Sequence, residues 1–211
     1  MTPTRKKQIA LALTSAVLLT ACGLGERPYF EETPTGVGTD SGDPAIDAVL
    51  QLLDGVGGAQ FTGSYQATLL FGGVVSAAQV TQLGPRRSVT IGQVRYLNDG
   101  GSSRTCVLDT GVCDDGIQAA AVSNTGLTPE FAFGDMAKRL RRDAAARIAP
   151  STGSIEMIAG MSATCVDVAV SGGTKQYCVL SDGAVARFRG ADIELDLISY
   201  SPAVDETLFD A

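Results

Sequence analysis

Cys106, Cys113, Cys165 and Cys178 are the residues of this chain best suited to covalent chemistry, and an even set of four suits two disulfides. Cys106 and Cys113 flank the short loop-forming segment Val107-Leu108-Asp109-Thr110-Gly111-Val112 and are expected to pair with each other, although four cysteines allow three connectivities. A zinc site is the alternative, but the chain has no C-x-x-C pair. It also has no histidine, which excludes His-based triads, His-ligated zinc and the usual His general base. Gly160-Met161-Ser162-Ala163-Thr164 begins like a nucleophile elbow, yet Thr stands where the closing Gly belongs and no His exists to activate Ser162. The segment reads as a turn into a strand. Asp109, Asp114 and Asp115 are close enough in sequence to hold calcium, but their spacing is not that of an EF-hand loop, and a solvated turn accounts for them. There is no S-x-x-K, P-loop or dinucleotide fingerprint. No catalytic residue, metal site or cofactor is therefore assigned, and an enzyme would need a carboxylate or Ser site that the sequence does not advertise.

Cys22 stands apart from the other four. It follows a basic cluster, Arg5-Lys6-Lys7, and an apolar run from Ile9 to Leu19 that is too short to cross about 30 Å of hydrocarbon. The stretch Leu19-Thr20-Ala21-Cys22 resembles the lipobox of bacterial lipoproteins. That resemblance implies removal of residues 1–21, a new N-terminus at Cys22, and acyl chains on its sulfur and amine. Each buried acyl methylene contributes about 0.8 kcal/mol and two or more chains anchor stably, so an acylated Cys22 would hold the protein extracytoplasmically on the cell membrane. An ordinary secretory leader cut near Ala21, or an uncleaved anchor, is the alternative. The export context agrees with disulfides rather than free thiols.

The remaining elements must position whatever Cys22 tethers. Residues 22–42 are rich in Gly, Pro, Thr and acids and read as a flexible tether, leaving 43–211 as a single domain large enough for a real core. Acidic residues outnumber basic ones 23 to 16, a net charge of −7 that becomes more negative once Arg5, Lys6 and Lys7 leave, so nucleic acid is not an expected partner.

Asp43-Pro44 reads as a helix N-cap and first position, with Ile46, Val49, Leu50 and Leu53 forming an apolar stripe over about 44–54. From Phe61 the period changes to two. Phe61, Tyr65, Ala67, Leu69 and Phe71 alternate with polar residues, and a two-residue Gly72-Gly73 turn would pair Phe71 with Val74, Ala67 with Ala78 and Tyr65 with Val80. Shorter strands are expected near 86–91, 93–98 and 103–108. Thr128-Pro129-Glu130 resembles a helix start, and Phe133, Met136, Ala137, Leu140, Ala144 and Ile148 trace an apolar stripe up to Pro150. The other faces of this helix carry Lys138, Arg139, Arg141, Arg142 and Arg147, a basic cluster that reads as a solvated face or as a contact for anionic headgroups.

In the last third, a two-residue turn at Ser171-Gly172 sets Cys165 directly opposite Cys178, in a non-hydrogen-bonded pair. A turn at Asp182-Gly183 sets Tyr177 opposite Phe188 and Val179 opposite Ala186. A third at Gly190-Ala191 sets Phe188 opposite Ile193 and Ala186 opposite Leu195, with Arg187 facing Glu194 on the other side. All three turns agree on the buried face, so a four-stranded antiparallel meander is expected over about 162–200.

This order of lipobox, tether, helix, meander, disulfide hairpin, amphipathic helix and second meander resembles the actinobacterial envelope lipoproteins whose domain is similar to the LolA- and LppX-like lipoprotein-carrier fold. The abundance of Ala, Gly and Arg leans toward the same GC-rich bacteria. The resemblance covers about 44–209, with the lipobox as its specific motif. It implies an α+β fold, a curved antiparallel sheet forming an incomplete barrel with helices on its concave face, and an apolar cavity that shelters a lipid or lipidated molecule in a carrier or chaperone role. Tyr65, Leu69, Phe71, Val80, Phe133, Met136, Leu140, Val166, Phe188, Ile193 and Leu195 are the candidates to line that cavity. The same residues suit a filled core, in which case the domain is a non-catalytic module that presents its surface to another envelope protein.

Overall fold

The computed structural model describes residues 40–210. The expected leader over residues 1–21, Cys22 and nearly all of the expected tether lie outside the described residues. Helix α1 spans Pro44–Gly55, and the Asp43 carboxylate caps it by accepting from the Ala45 N–H at 3.1 Å. The same side chain also accepts from the Ser151 N–H, so the start of the helix is pinned to a distant segment. Ile46, Val49, Leu50 and Leu53 are its buried stripe.

Eleven antiparallel strands follow in one open sheet: β1 (Gln60–Leu69), β2 (Val74–Leu83), β3 (Arg86–Ile91), β4 (Val94–Asp99), β5 (Ser103–Val107), β6 (Val112–Asp115), β7 (Thr152–Ile158), β8 (Met161–Val170), β9 (Gly173–Leu180), β10 (Val185–Arg189) and β11 (Ile193–Ser201). Their spatial order is β6-β5-β4-β3-β2-β1-β11-β10-β9-β8-β7, so two meanders are joined where β1 pairs with β11. Helices α2 (Ala119–Thr125) and α3 (Gly134–Ala145) lie in the connection between the meanders. Helix α3 packs on α1, and both rest on the face of the sheet that carries Val166, Val168, Tyr177, Phe188 and Leu195. The fold is thus α+β, a curved antiparallel sheet left open as an incomplete barrel, with helices filling its concave side. Among the described residues no helix is long and apolar enough to cross a membrane.

Register is where structure and sequence reading diverge, and the differences have local causes. The β8–β9 turn is the two-residue Ser171-Gly172 turn, with Cys165 opposite Cys178. The β1–β2 loop instead takes four residues: Leu69 pairs with Val74, and Tyr65 with Ala78 rather than Val80. The Leu70 N–H is withdrawn from the hairpin ladder by the Asp192 carbonyl at 2.9 Å, and Gly72 and Gly73 turn the chain at positive φ. The β10–β11 loop likewise widens, because the Gly190 N–H closes on the Ile193 carbonyl, so Phe188 faces Leu195 and Arg187 faces Asp196. Both shifts are by two residues, which leaves every side chain on the expected face.

At β9–β10 a bulge lies between Val185 and Arg187, and Val179 faces Val185 rather than Ala186. This turn is pressed onto the end of α1: any Cβ on Gly183, which sits at φ 89°, would overlap the Leu52 carbonyl oxygen and the Val56 backbone.

Helix α3 begins at Gly134, later than the Thr128-Pro129-Glu130 signal suggests. Residues 130–133 form a turn, and the Glu130 carboxylate is engaged by Arg87 at 2.9 Å and by the Gly134 N–H. At the other end Ile148 leaves the stripe: its N–H donates to the Ala169 carbonyl and its side chain is exposed.

Candidate functional site

The hairpin end of the sheet holds an apolar cleft of about 340 Å³. One wall is the end of β1 and its loop, Leu69 and Phe71. The second is the α2–α3 connection, Leu127 and Phe131, and the third is α3 and the start of β11, Met136 and Ile193. Gly126 is the left-handed C-cap of α2 at φ 69°, a conformation that favours glycine, and it lies against the Leu69 side chain, whose Cδ1 would stand 2.5 Å from an added Cβ. A volume of this size falls at the lower end of small-molecule pockets, roughly 300–1,000 Å³.

Asp135, Arg139 and Asp192 are the charged residues of the cleft's lining. Arg139 forms an ion pair with Asp192 at 2.8 Å, and the Thr128 hydroxyl donates to Asp135. Burial disfavours the charged form of Asp192, but the hydrogen bond and positive charge of Arg139 outweigh it and hold the carboxyl below the ordinary aspartate range. Its carbonyl also receives the Leu70 N–H, so one residue ties the β1–β2 loop to α3.

Four of the eleven sequence-nominated cavity residues, Leu69, Phe71, Met136 and Ile193, meet at this cleft. The other seven, Tyr65, Val80, Phe133, Leu140, Val166, Phe188 and Leu195, are buried together in the continuous core between helices and sheet. Phe71 itself is 97 % exposed on the loop and forms the cleft's lip rather than its interior. Leu127 and Phe131 were not nominated; they precede α3 in a segment whose proline suggested a helix start, and only the turn geometry brings them inward.

No protein family and no curated protein matches the chain. Among solved structures it is similar in part to the MucA/MucB complex of Pseudomonas aeruginosa, with TM-score 0.47, 11% identity and coverage of 78% of this chain and 60% of that one. MucB in complex with periplasmic MucA gives TM-score 0.46 at 11% identity, covering 77% of this chain and 58% of that one. LprF from Mycobacterium bovis gives TM-score 0.42 at 11% identity, covering 77% and 96%. The chain spans about three fifths of the length of the MucB chains it matches.

The cysteines are bonded as Cys106–Cys113, across β5 and β6, and Cys165–Cys178, across β8 and β9. Glu156 lies beside the second bridge, but sulfurs joined in a disulfide are not thiolate ligands, so that trio does not form a metal site. Asp114 and Asp115 are neighbours on β6 and point to opposite faces, which keeps them from chelating one ion together.

The basic residues on α3 and just after it are largely engaged. Arg141 is buried and its guanidinium meets Asp54 of α1 at 2.5 Å, Arg139 holds Asp192, and Arg147 donates to the Ala144 and Ser41 carbonyls. The helix therefore uses its arginines to bind its own domain, and only Lys138 and Arg142 among the five stand exposed. Beneath them Asp143 is buried and accepts from Lys175 at 3.0 Å and from the Tyr177 hydroxyl. Desolvation, followed by that hydrogen bond to Asp143, drives the Tyr177 hydroxyl far above the ordinary tyrosine value and keeps it a donor.

Proposed function

We propose that this protein is a non-catalytic, membrane-anchored envelope lipoprotein that receives an acyl chain of a lipid or lipidated molecule in the cleft between the β1–β2 loop and α3. The cleft carries the reading: Leu69, Leu127, Phe131, Met136 and Ile193 line it, and Asp135, Arg139 and Asp192 are the few charges available to a headgroup. Burial of an apolar chain needs few polar partners, since each methylene removed from water contributes about 0.8 kcal/mol. Two disulfides support an oxidising, extracytoplasmic setting. Anchoring through acylated Cys22 follows from the lipobox resemblance, and the cargo role is that of a carrier or chaperone.

A second reading has its own support. Seven of the residues nominated for a cavity fill the core instead, which favours a module that works through its surface with an envelope protein partner. Native mass spectrometry of the periplasmically produced chain, with organic extraction of what copurifies, separates the two. A stoichiometric lipid that is lost in Leu69→Trp, a variant that plugs the cleft from a half-exposed position, is the expected result. A bare mass with no uptake of added lipid would sink the cleft reading and leave the surface module.

A further inference from the structure

We propose that the tip of the β1–β2 hairpin, Leu70, Phe71, Val74 and Val75, inserts into the interface of a lipid bilayer and so lays the mouth of the cleft against the membrane. These four side chains are exposed and contiguous in the chain around Gly72-Gly73, and Phe71, at 97 % exposure, is the most exposed large apolar side chain among the described residues. A cluster of this kind on a soluble surface marks an interaction site. Three observations select a bilayer rather than another protein or a second copy.

The first is charge. From Gly55 to Pro85 the chain has no Asp, Glu, Lys or Arg, although the protein as a whole is strongly acidic. A tip free of acids avoids repulsion by anionic lipid, and one free of both signs has no ionisable group to desolvate as it enters the interface. The second is continuity. Phe71 and Leu69 belong both to the hairpin and to the cleft wall, so insertion of the tip brings the apolar opening to the level where acyl chains begin. Of the two carboxylates in the cleft lining, Asp192 is paired with Arg139 and Asp135 accepts from the Thr128 hydroxyl.

The third is reach. The described chain begins at Asp40, and the Ser41 carbonyl is held by Arg147 just beyond the C-terminal end of α3, whereas the cleft lies at the N-terminal end of that helix. A twelve-residue helix is about 18 Å long, and the residues from Cys22 to Asp40 can extend to about 60 Å. A chain anchored at Cys22 can therefore bring the hairpin tip to the membrane that holds its own acyl chains. This last point rests on the lipoprotein reading above; the first two do not.

The chain has no Trp, so Phe71→Trp creates a single fluorescent reporter at an exposed position. Ile155→Trp is the control, an exposed apolar site on the edge strand β7. Both would be made in a full mature chain carrying Cys22→Ser, exported behind an ordinary cleavable leader so that no acyl anchor is present. On addition of phosphatidylcholine vesicles the Phe71→Trp emission should shift to the blue and be quenched by brominated acyl chains, while Ile155→Trp stays in water. Phe71→Ser in the Ile155→Trp background should weaken vesicle sedimentation by about tenfold or more. Water-like emission from both reporters, or equal insertion of both, would overturn the proposal. The outcome is independent of the cargo: lipid copurifying with a chain whose Phe71→Trp reporter stays in water defeats hairpin docking alone, and insertion without copurifying lipid defeats the cleft reading alone.

Discussion

Asp192 does three things within one residue: its carboxylate holds Arg139, its carbonyl takes the Leu70 N–H, and its position opens β11. None of this was legible in the sequence, where Gly190-Ala191 looked like a tight turn and Asp192 merely followed it. The carboxyl is held below its ordinary value, so the folded state binds a proton there less readily than the unfolded chain does. The stabilisation it provides is complete above the unfolded value of about 3.9 and is lost as the pH falls through the lower folded value. Thermal unfolding should therefore be insensitive to this pair between neutrality and about pH 5, with the contribution disappearing in the acid range below about 4. Asp192→Asn should lower Tm at neutral pH and converge with the parent chain in acid; a constant offset at every pH would show that the carboxylate's charge is not the cause. Asp192 is more than half exposed, so the effect belongs with surface pairs, about 1 kcal/mol or less.

At the scale of elements, what could be read ahead was whatever rests on periodicity and fixed turn chemistry. Helix α1 announced itself through Asp43-Pro44 and a clean stripe, and the β8–β9 hairpin through a tight turn flanked by alternating residues. What could not be read was set by distant partners. The four-residue β1–β2 loop depends on a carbonyl from β11's approach, and the β9–β10 bulge on the end of α1. Strand β7 was missed because Ile155 and Met157 face outward at a sheet edge, which inverts the usual signal, and α2 because it buries none of its own side chains fully. The Cys165–Cys178 bridge gives this scale its test. It closes a short loop across two strands, and its loss in the double variant Cys165→Ala, Cys178→Ala should cost about 3 kcal/mol, read from urea unfolding with the slope fitted for each chain, since release of the cross-link expands the unfolded state. A loss under about 0.5 kcal/mol would mean that strand pairing alone sets the hairpin's stability.

For the whole molecule, the architecture was legible as two meanders and helices on the concave side of an open sheet, while the filling of that side was not. Volume decides between cavity and core, and side-chain spacing carries no information about volume. The nominated residues accordingly divide between a core and a cleft at its end, with Phe71 exposed at the cleft's lip. The leader reading concerns the molecule as a whole, because it decides where the domain resides. Metabolic labelling with a clickable palmitate analogue should mark the parent chain and leave Cys22→Ala unmarked, with the parent entering the detergent phase on partitioning. A label that persists in Cys22→Ala would place acylation elsewhere.

The seam between β1 and β11 has a kinetic meaning. The first strand of the sheet is completed by the last, so half of its backbone groups wait without their partner until the whole domain has been delivered. Closing so long a loop precedes the reward of the contacts it makes, and high contact order slows folding. As the chain is synthesised, the N-terminal meander, with its charge-free first hairpin, must stay unjoined until the C-terminal strands arrive. That interval, rather than any weakness of the finished structure, is when this protein is most exposed to misassociation and most in need of a holding chaperone.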